Sequence, residues 1–298
     1  MGDSVTAQSL LNWRKTMLRQ GGEASALDWL LDLKGGVHWP QLQALRLYPE
    51  SKVALEHRLE TLEEIWQEHL EQGKPLQYLV GLCPWRDLEL KVAPGVLIPR
   101  QETELLIDLA LACLRPDQQQ SQVSWADLGT GSGCIAIGLA KALPSSKGFA
   151  VDRSTAALRQ TEENARRILN SNSVEFREGD WWDAIQDQWG QLDLVVSNPP
   201  YIPAAVWAEL EPVVRDHEPE LALNGGADGL DAIRRITSDA LQCLAPGGWL
   251  LLEHHYDQSS AVLGLLKEAG LVKTQAHSDL EGVQRFARAQ KPSDQEGP

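Results

Sequence analysis

The chain has 298 residues, 43% of them hydrophobic and 23% charged, which is enough for one large domain with a smaller companion. It carries 27 Lys and Arg against 42 Asp and Glu, a formal net charge of −15. Proteins that bind nucleic acid through its phosphates usually display a basic patch, so this charge argues against direct nucleic-acid binding and favours a small-molecule or protein substrate. No apolar run approaches the roughly 20 residues of a membrane helix, and no basic segment precedes an apolar one at the start, so we expect no membrane association and a cytoplasmic location.

The cysteines are widely spaced and form no Cys-x-x-Cys pair; they are Cys83, Cys113, Cys134 and Cys243. Such spacing indicates neither a zinc site nor a disulfide framework. We therefore expect reduced thiols and no bound metal.

Residues 1–73 have the apolar periodicity of helices and predict a small N-terminal helical bundle. The clearest helix is predicted at 51–72, because leucines and a tryptophan recur there at three- and four-residue steps and Gly73 follows as a C-cap. Shorter helices are predicted at 24–33 and 40–47.

Residues 74–99 have the alternating pattern of a connecting β-hairpin. Apolar and charged residues alternate over 88–92, and a Pro-Gly turn at 94–95 precedes the apolar residues 96–98. We predict that these two stretches form the hairpin and that a domain boundary lies near it.

Residues 100–290 predict a second, α/β domain, because strand and helix patterns alternate beyond a first helix that runs to Leu114. The predicted strands are 123–128, 148–151, 174–176, 192–196 and 248–252, and the predicted helices are 134–143, 155–169 and 230–244. This order favours a mostly parallel sheet with helices on both faces. Residues 271–276 and 284–289 predict an antiparallel hairpin at its edge, and the polar residues 291–298 predict a disordered tail.

A glycine-rich loop, Asp127-Leu128-Gly129-Thr130-Gly131-Ser132-Gly133, follows the first strand of this domain and opens a helix. Glycines let the backbone turn sharply and approach a ligand closely. Asp152 ends the next strand, where a carboxylate can accept hydrogen bonds from both hydroxyls of a ribose. The pattern indicates a nucleoside cofactor and leaves NAD and S-adenosylmethionine open, with a tight turn that binds nothing as the remaining alternative.

Gly179-Asp180-Trp181-Trp182 follows the third strand at the same edge of the sheet. A carboxylate and an aromatic ring there could bond and cover an adenine. Tryptophan is also a common core residue, so for Trp181 and Trp182 burial and ligand contact both stand as interpretations.

The fourth strand ends at Asn198-Pro199-Pro200-Tyr201. Prolines end the hydrogen-bond ladder of a strand and stiffen the chain, which holds Asn198 at the ligand-binding edge of the sheet. Its side-chain oxygen and the Pro199 carbonyl could accept hydrogen bonds from a substrate NH2 group, and Tyr201 could stack on a planar group. A dehydrogenase has no obvious use for this arrangement, whereas a methyltransferase acting on an amide or amino nitrogen does.

These motifs resemble class I S-adenosylmethionine-dependent methyltransferases, and more narrowly the peptide chain release factor glutamine-N5 methyltransferase family. Further stretches carry the resemblance across nearly the whole chain; they are 77–81, 97–100 with 102–104, 218–219 with 222–223, and 225–230. The resemblance implies a Rossmann-like fold and an N-terminal helical domain that binds the protein substrate. The chain departs from the family pattern at Gln101, where a proline is usual, and at His254-His255, which replaces a small apolar pair.

The resemblance also assigns the site. It implies that S-adenosylmethionine is bound by the residues Gly129, Thr130, Gly131, Ser132, Gly133, Asp152, Asp180, Trp181 and Asn198. It implies that Asn198, Pro199, Pro200 and Tyr201 hold the glutamine of the Gly-Gly-Gln motif of a peptide chain release factor, whose side-chain nitrogen is methylated.

Two other functions remain as alternatives at this stage. A DNA adenine-N6 or RNA methyltransferase would use the same Asn-Pro-Pro-Tyr sequence, because it too binds a planar amino group. A non-catalytic interaction protein could keep the cofactor pocket alone.

Overall fold

A computed structural model of the protein describes residues 4–119, 122–170 and 173–293. Contacts between backbone positions divide the chain into two units, which we describe separately. Within the described ranges, no helix combines the length and the apolar character that crossing a bilayer requires.

The first unit extends through Leu82 and also includes Pro212–His217. Its helices in chain order are α1 (Ala7–Gln20), α2 (Ala24–Leu33), α3 (Trp39–Ala44), α4 (Leu59–Gln72) and α5 (Leu76–Val80). Helix α1 begins at Thr6, whose hydroxyl accepts a hydrogen bond from a backbone N–H of the first turn. Helix α4 ends at Gly73, whose φ of +64° is a left-handed conformation that glycine adopts without strain. The helices predicted at 24–33 and 40–47 are present as α2 and the slightly shorter α3.

The helix predicted at 51–72 was placed too early, because its first residues form a strand. Lys52–Ala54 is β2, which pairs antiparallel with β1 (Ser4–Thr6). Val53 is buried while both its neighbours are exposed, the alternation of a strand. Helix α4 therefore starts at Leu59, and its Trp66 is fully buried in the core of the first unit.

A hairpin is present in this stretch and contains the strand predicted at 88–92, but the other strand, predicted at 96–98, was wrong. β4 (Leu88–Lys91) pairs with the preceding β3 (Leu82–Trp85), and residues 96–98 do not form a strand. The chain reverses between β3 and β4, where Arg86 has a φ of +52°. The Ile98 N–H donates its hydrogen bond to the Glu218 carboxylate at 3.1 Å instead of to a neighbouring strand.

The second unit contains a seven-stranded sheet with the order β10–β11–β9–β8–β5–β6–β7. Its strands are β5 (Ser124–Leu128), β6 (Lys147–Asp152), β7 (Val174–Glu178), β8 (Leu192–Ser197), β9 (Leu244–Glu253), β10 (Val272–Ser278) and β11 (Gln284–Gln290). The first five of these run parallel to one another, and β11 runs antiparallel to β9 and β10. This confirms the predicted Rossmann-like sheet, mostly parallel with an antiparallel final hairpin.

Helices cover both faces of this sheet, as predicted. The described helices from Leu105 onward are, in chain order, α6 (Leu105–Cys113), α7 (Pro116–Gln119), α8 (Cys134–Ala142), α9 (Thr155–Ile168), α10 (Ala204–Trp207), α11 (Pro212–Arg215, which groups with the first unit), α12 (Glu220–Leu223), α13 (Asp231–Cys243) and α14 (Ser259–Glu268). Neighbouring residues of one strand enter different cores: Leu251 packs with α6 and α8, while Leu250 and Leu252 pack with α13 and α14. Two short 3-10 helices, Glu102–Glu104 and Trp181–Gln188, complete the unit.

The first residue of the predicted tail, Lys291, is held by hydrogen bonds to β9. Lys291 donates a backbone hydrogen bond to the Gly248 carbonyl and a side-chain one to the Leu244 carbonyl, at 2.8 and 2.7 Å. The part of the tail prediction that covers residues 294–298 lies outside the described residues.

Candidate active site

A pocket opens where β5, β6, β7 and β8 end, at the edge where parallel sheets bind ligands. It encloses about 750 Å³ of empty space, part of it open to solvent. The predicted site residues that line it are Gly129, Gly131, Asp152, Asp180, Trp181, Asn198 and Pro200. The fold therefore collects residues from the ends of four strands into one cleft.

The glycine loop forms one wall of the pocket through its backbone. Gly129 and Gly131 have φ values of +78° and +58°, which favour glycine. A side chain on Gly131 would meet no atom within 4 Å and would project into open space. Gly133 does not line the pocket: a Cβ there would lie 2.7 Å from a Thr161 methyl group. Glycine is therefore required at position 133, because only glycine lets the loop pack against α9 as it turns into α8.

Thr130 and Ser132 also lie outside the pocket lining, and both are buried. The Thr130 hydroxyl donates to the Asp127 carboxylate at 2.7 Å, and that carboxylate also accepts the Ala136 backbone N–H at 3.1 Å. The second Asp127 oxygen has no hydrogen-bond partner among the described residues. Burial raises the pKa of Asp127 to about 7. These side chains act inside the loop and fix its shape.

Asp152 presents a carboxylate to the pocket from the end of β6. Its two oxygens accept hydrogen bonds from the backbone N–H groups of Gly131 and Ser154, at 2.9 and 2.8 Å. The two amides hold the side chain against the glycine loop, and burial raises its pKa. Because each carboxylate oxygen has a second lone pair, Asp152 can still accept hydrogen bonds from a ligand.

Trp181 and Trp182 have different environments. The Trp181 ring lines the pocket and lies against Gly129, where an added Cβ would be 3.2 Å from it. Its φ of +47° is unusual for a bulky residue and costs about 1–3 kcal/mol, as strained residues at binding sites often do. Trp182 is fully buried and donates its indole N–H to the Ile236 carbonyl at 2.9 Å, so it belongs to the core.

Asn198 is connected to a buried hydrogen-bond chain that sequence analysis did not find. Its Nδ2 group donates to the Thr103 hydroxyl at 3.0 Å, and that hydroxyl donates to Glu253 Oε2 at 2.8 Å. The Tyr201 hydroxyl donates to the other Glu253 oxygen at 3.1 Å. Thr103 and Glu253 are each 1% exposed. Burial raises the pKa of Glu253 to about 7, against the opposing effect of its two hydroxyl donors.

The other residues of the Asn-Pro-Pro-Tyr stretch are placed differently from one another. Pro200 lines the pocket, whereas Pro199 is buried and does not line it. The Tyr201 side chain packs with the core formed by α13 and α14, and its pKa is raised by burial. Tyr201 therefore supports the chain around Glu253 and does not itself line the pocket.

An apolar wall faces the polar residues of the pocket. It consists of Val96, Leu97, Leu221 and Ala222, from two distant stretches. Glu218, only 5% exposed, joins these stretches: it accepts the Ile98 N–H at 3.1 Å and the Arg100 guanidinium at 2.7 Å. No local pattern in the sequence predicts this role of Glu218.

Of the residues missed, only Glu253 left a signal in the sequence. It directly follows a predicted strand, as Asp152 does, so it could have been assigned to the ligand-binding edge. Thr103 lies 150 positions away in a helical stretch, and no local pattern indicates that it reaches Glu253. His254 and His255 do not line the pocket, and His254 is fully buried.

Comparisons with known proteins agree with this geometry. Residues 103–209 match the family model described as the methyltransferase small domain. A release factor glutamine methyltransferase from Prochlorococcus marinus is 49% identical over 96% of this chain and 98% of its own length. One of the same name from Thermosynechococcus vestitus is 45% identical over 83% of this chain and 84% of its own.

Among solved structures, the T. thermophilus 16S rRNA N2 G1207 methyltransferase in complex with AdoMet and guanosine matches with a TM-score of 0.51. The match covers 70% of this chain and 49% of that chain at 19% identity. At this identity the likeness establishes the fold only.

Proposed function

The chain belongs to the release factor glutamine methyltransferase family, and we propose that it transfers a methyl group from S-adenosylmethionine to the side-chain amide nitrogen of a glutamine in a peptide chain release factor. The observation that carries the proposal is the Asn198 amide at the end of β8, whose NH2 group is already bonded to Thr103. Its oxygen is therefore the end available to a substrate NH2 group in the pocket.

The residues present fit S-adenosylmethionine. The glycine loop leaves space at Gly131 that a side chain would fill, and the Trp181 ring offers a flat apolar surface. The carboxylates of Asp152 and Asp180 suit ribose hydroxyls and a ligand that carries positive charge. We assign these four residues and Gly129 to cofactor binding. Thr130, Ser132 and Gly133 contribute by fixing the loop.

When bound, S-adenosylmethionine supplies a methyl group on a positively charged sulfur. The substrate nitrogen is a poor nucleophile because its lone pair is delocalised into the amide. Hydrogen bonds from the substrate NH2 group to the Asn198 side-chain oxygen and the Pro199 carbonyl would orient that lone pair toward the methyl carbon. In this arrangement the N–C bond would form as the C–S bond breaks, and one N–H proton would leave to water.

The partner and the setting follow from the same proposal. The protein substrate is a release factor, whose glutamine lies in the Gly-Gly-Gln motif, and the reaction takes place in the cytoplasm, where translation ends. We assign residues 1–73 to substrate recognition, 74–99 to the linker and 100–290 to methyl transfer. The net charge of −15 supports a protein substrate over direct binding of nucleic acid.

The decisive experiment uses cofactor labelled in the methyl group. The protein is incubated with a release factor that carries the motif glutamine or with a variant in which that glutamine is replaced. We expect label only in the first. Equal labelling of both forms would contradict the proposal, and salt-sensitive methylation of DNA or RNA would favour the nucleic-acid alternative.

A further inference from the structure

The buried hydrogen-bond chain Asn198–Thr103–Glu253 fixes which end of the Asn198 side-chain amide points into the pocket. An asparagine amide has nearly the same shape at its oxygen and its nitrogen end, and a flip of the side chain exchanges an acceptor for a donor. Only the orientation with the oxygen in the pocket can accept a hydrogen bond from a substrate NH2 group. Some feature of the protein must therefore select that orientation.

The direction follows from the Glu253 end of the chain. An ionised carboxylate can only accept hydrogen bonds, so the Thr103 proton must point to Glu253, 2.8 Å away. The Thr103 oxygen then faces Asn198 with a lone pair. Only the NH2 end of the Asn198 amide can donate to that lone pair, at 3.0 Å.

We propose that Thr103 and Glu253 are positioning residues that hold the Asn198 side-chain oxygen toward the substrate amide. The inference rests on the proposed function, in which Asn198 binds that amide. Both residues are 1% exposed, so water does not replace a lost partner. Tyr201 donates to the other Glu253 oxygen at 3.1 Å and so helps to keep Glu253 ionised.

Protonation of Glu253 reverses the direction of donation in the hydrogen bonds that join Glu253, Thr103 and Asn198. A neutral carboxyl group can donate to Thr103, which then donates to the Asn198 oxygen and turns the amide NH2 toward the pocket. The groups that face Glu253 are the hydroxyls of Thr103 and Tyr201, the like charge of Glu102 and the positive charge of Arg285. With burial as the largest effect, the pKa of Glu253 is raised to about 7. Turnover should therefore fall as the pH falls through about 7.

The first test compares two substitutions of one side chain. Thr103→Val keeps the shape but removes the hydroxyl, and we expect kcat to fall about 10- to 100-fold, the size of effect seen when a reacting group is misplaced or loses one preorganised hydrogen bond. Cofactor affinity and KM for the release factor should not change. Thr103→Ser restores the hydroxyl and should recover most of the turnover. As a matched control, Thr237→Val removes a buried hydroxyl on α13, remote from the pocket lining, and should leave kcat unchanged.

The second test uses the pH dependence of kcat and does not depend on the Thr103 variants. Glu253→Gln should abolish the acidic limb near pH 7, because an amide does not titrate. Tyr201→Phe should move that limb to higher pH, because loss of a donor raises the pKa of Glu253 further. A purely structural role would leave the limb in place in both variants.

The outcomes separate the two proposals. If the wild-type protein fails to label the release factor glutamine, the proposed function is wrong. If it labels that glutamine but Thr103→Val keeps wild-type kcat, or if the acidic limb is unchanged in Glu253→Gln and Tyr201→Phe, the positioning role is wrong.

Discussion

The pocket has two sides that are held in place by different kinds of bond. The glycine-loop side, consisting of residues 129–133 and Asp152, is fixed at its backbone groups: Gly129 and Thr130 both donate to the Val151 carbonyl, Gly131 donates to Asp152, and the Thr161 hydroxyl donates to the Gly131 carbonyl. The asparagine side, consisting of Asn198, Thr103 and Glu253, is fixed by buried side chains. We therefore expect cofactor binding to tolerate side-chain changes on the asparagine side, and we expect turnover not to tolerate them.

The largest effect should come from Asn198→Ala on the asparagine side. Removing the amide oxygen takes away a preorganised partner of the reacting nitrogen, and we expect kcat to fall about 10²- to 10³-fold. The dissociation constant of the cofactor, measured by calorimetry, should change little because the glycine-loop side remains intact. A parallel loss of cofactor affinity would show that the two sides are not independent.

On the glycine-loop side, Trp181→Ala should produce the opposite pattern. Stacking of a base on an aromatic ring contributes about 1–3 kcal/mol, so cofactor affinity should fall roughly 5- to 150-fold while kcat at saturating cofactor falls less. Trp39→Ala is the matched control, because Trp39 is 57% exposed in the first unit. Unchanged cofactor affinity in Trp181→Ala would show that this ring is not part of the cofactor site.

The same contrast explains what the sequence could predict. Gly129 to Gly133 are neighbours in the chain, and Asp152 ends the next strand, so this side follows from local patterns and strand order. Asn198 was also recognised, because prolines mark the strand end. Its partners were not, because Thr103 lies 95 positions before Asn198 and 150 positions before Glu253. Contacts over such distances are set by tertiary packing and leave no local pattern.

The errors in the fold have the same origin. Val53 lies in a stretch with helical periodicity, but pairing with Val5 overrides that local preference. Residues 96–98 have the apolar character of a strand, yet Glu218 captures the Ile98 N–H from 120 positions away. In both cases a distant partner decides the local structure.

A smaller effect is expected from the packing of the glycine loop. Gly133→Ala places a methyl group 2.7 Å from Thr161 at a φ of +86°, and we expect a loss of about 1–3 kcal/mol in the free energy of unfolding. Gly264→Ala on α14 is the matched control: it meets no atom within 4 Å and should stabilise the helix by about 0.5–1 kcal/mol. Denaturant unfolding measures both, and equal effects in the two variants would contradict the packing role of Gly133.

The last prediction separates the two buried carboxyl groups by what their titration changes. The pKa of Asp127 is raised by burial from 3.8 to about 7 in the folded protein. Between those values the folded protein holds a proton on Asp127 that the unfolded chain has lost, so the contribution of Asp127 to the free energy of unfolding decreases as the pH rises through this window and is level above it. Asp127→Asn removes this contribution and should make the slope of the free energy of unfolding against pH more positive by at most about 1.4 kcal/mol per pH unit.

Glu253 contributes to the same window, so a remaining slope in Asp127→Asn is expected. The acidic limb of kcat should nevertheless survive in Asp127→Asn, because that limb belongs to the asparagine side. If it disappeared together with the stability slope, the two sides of the pocket would titrate as one unit, and the separation between cofactor binding and substrate orientation would be lost.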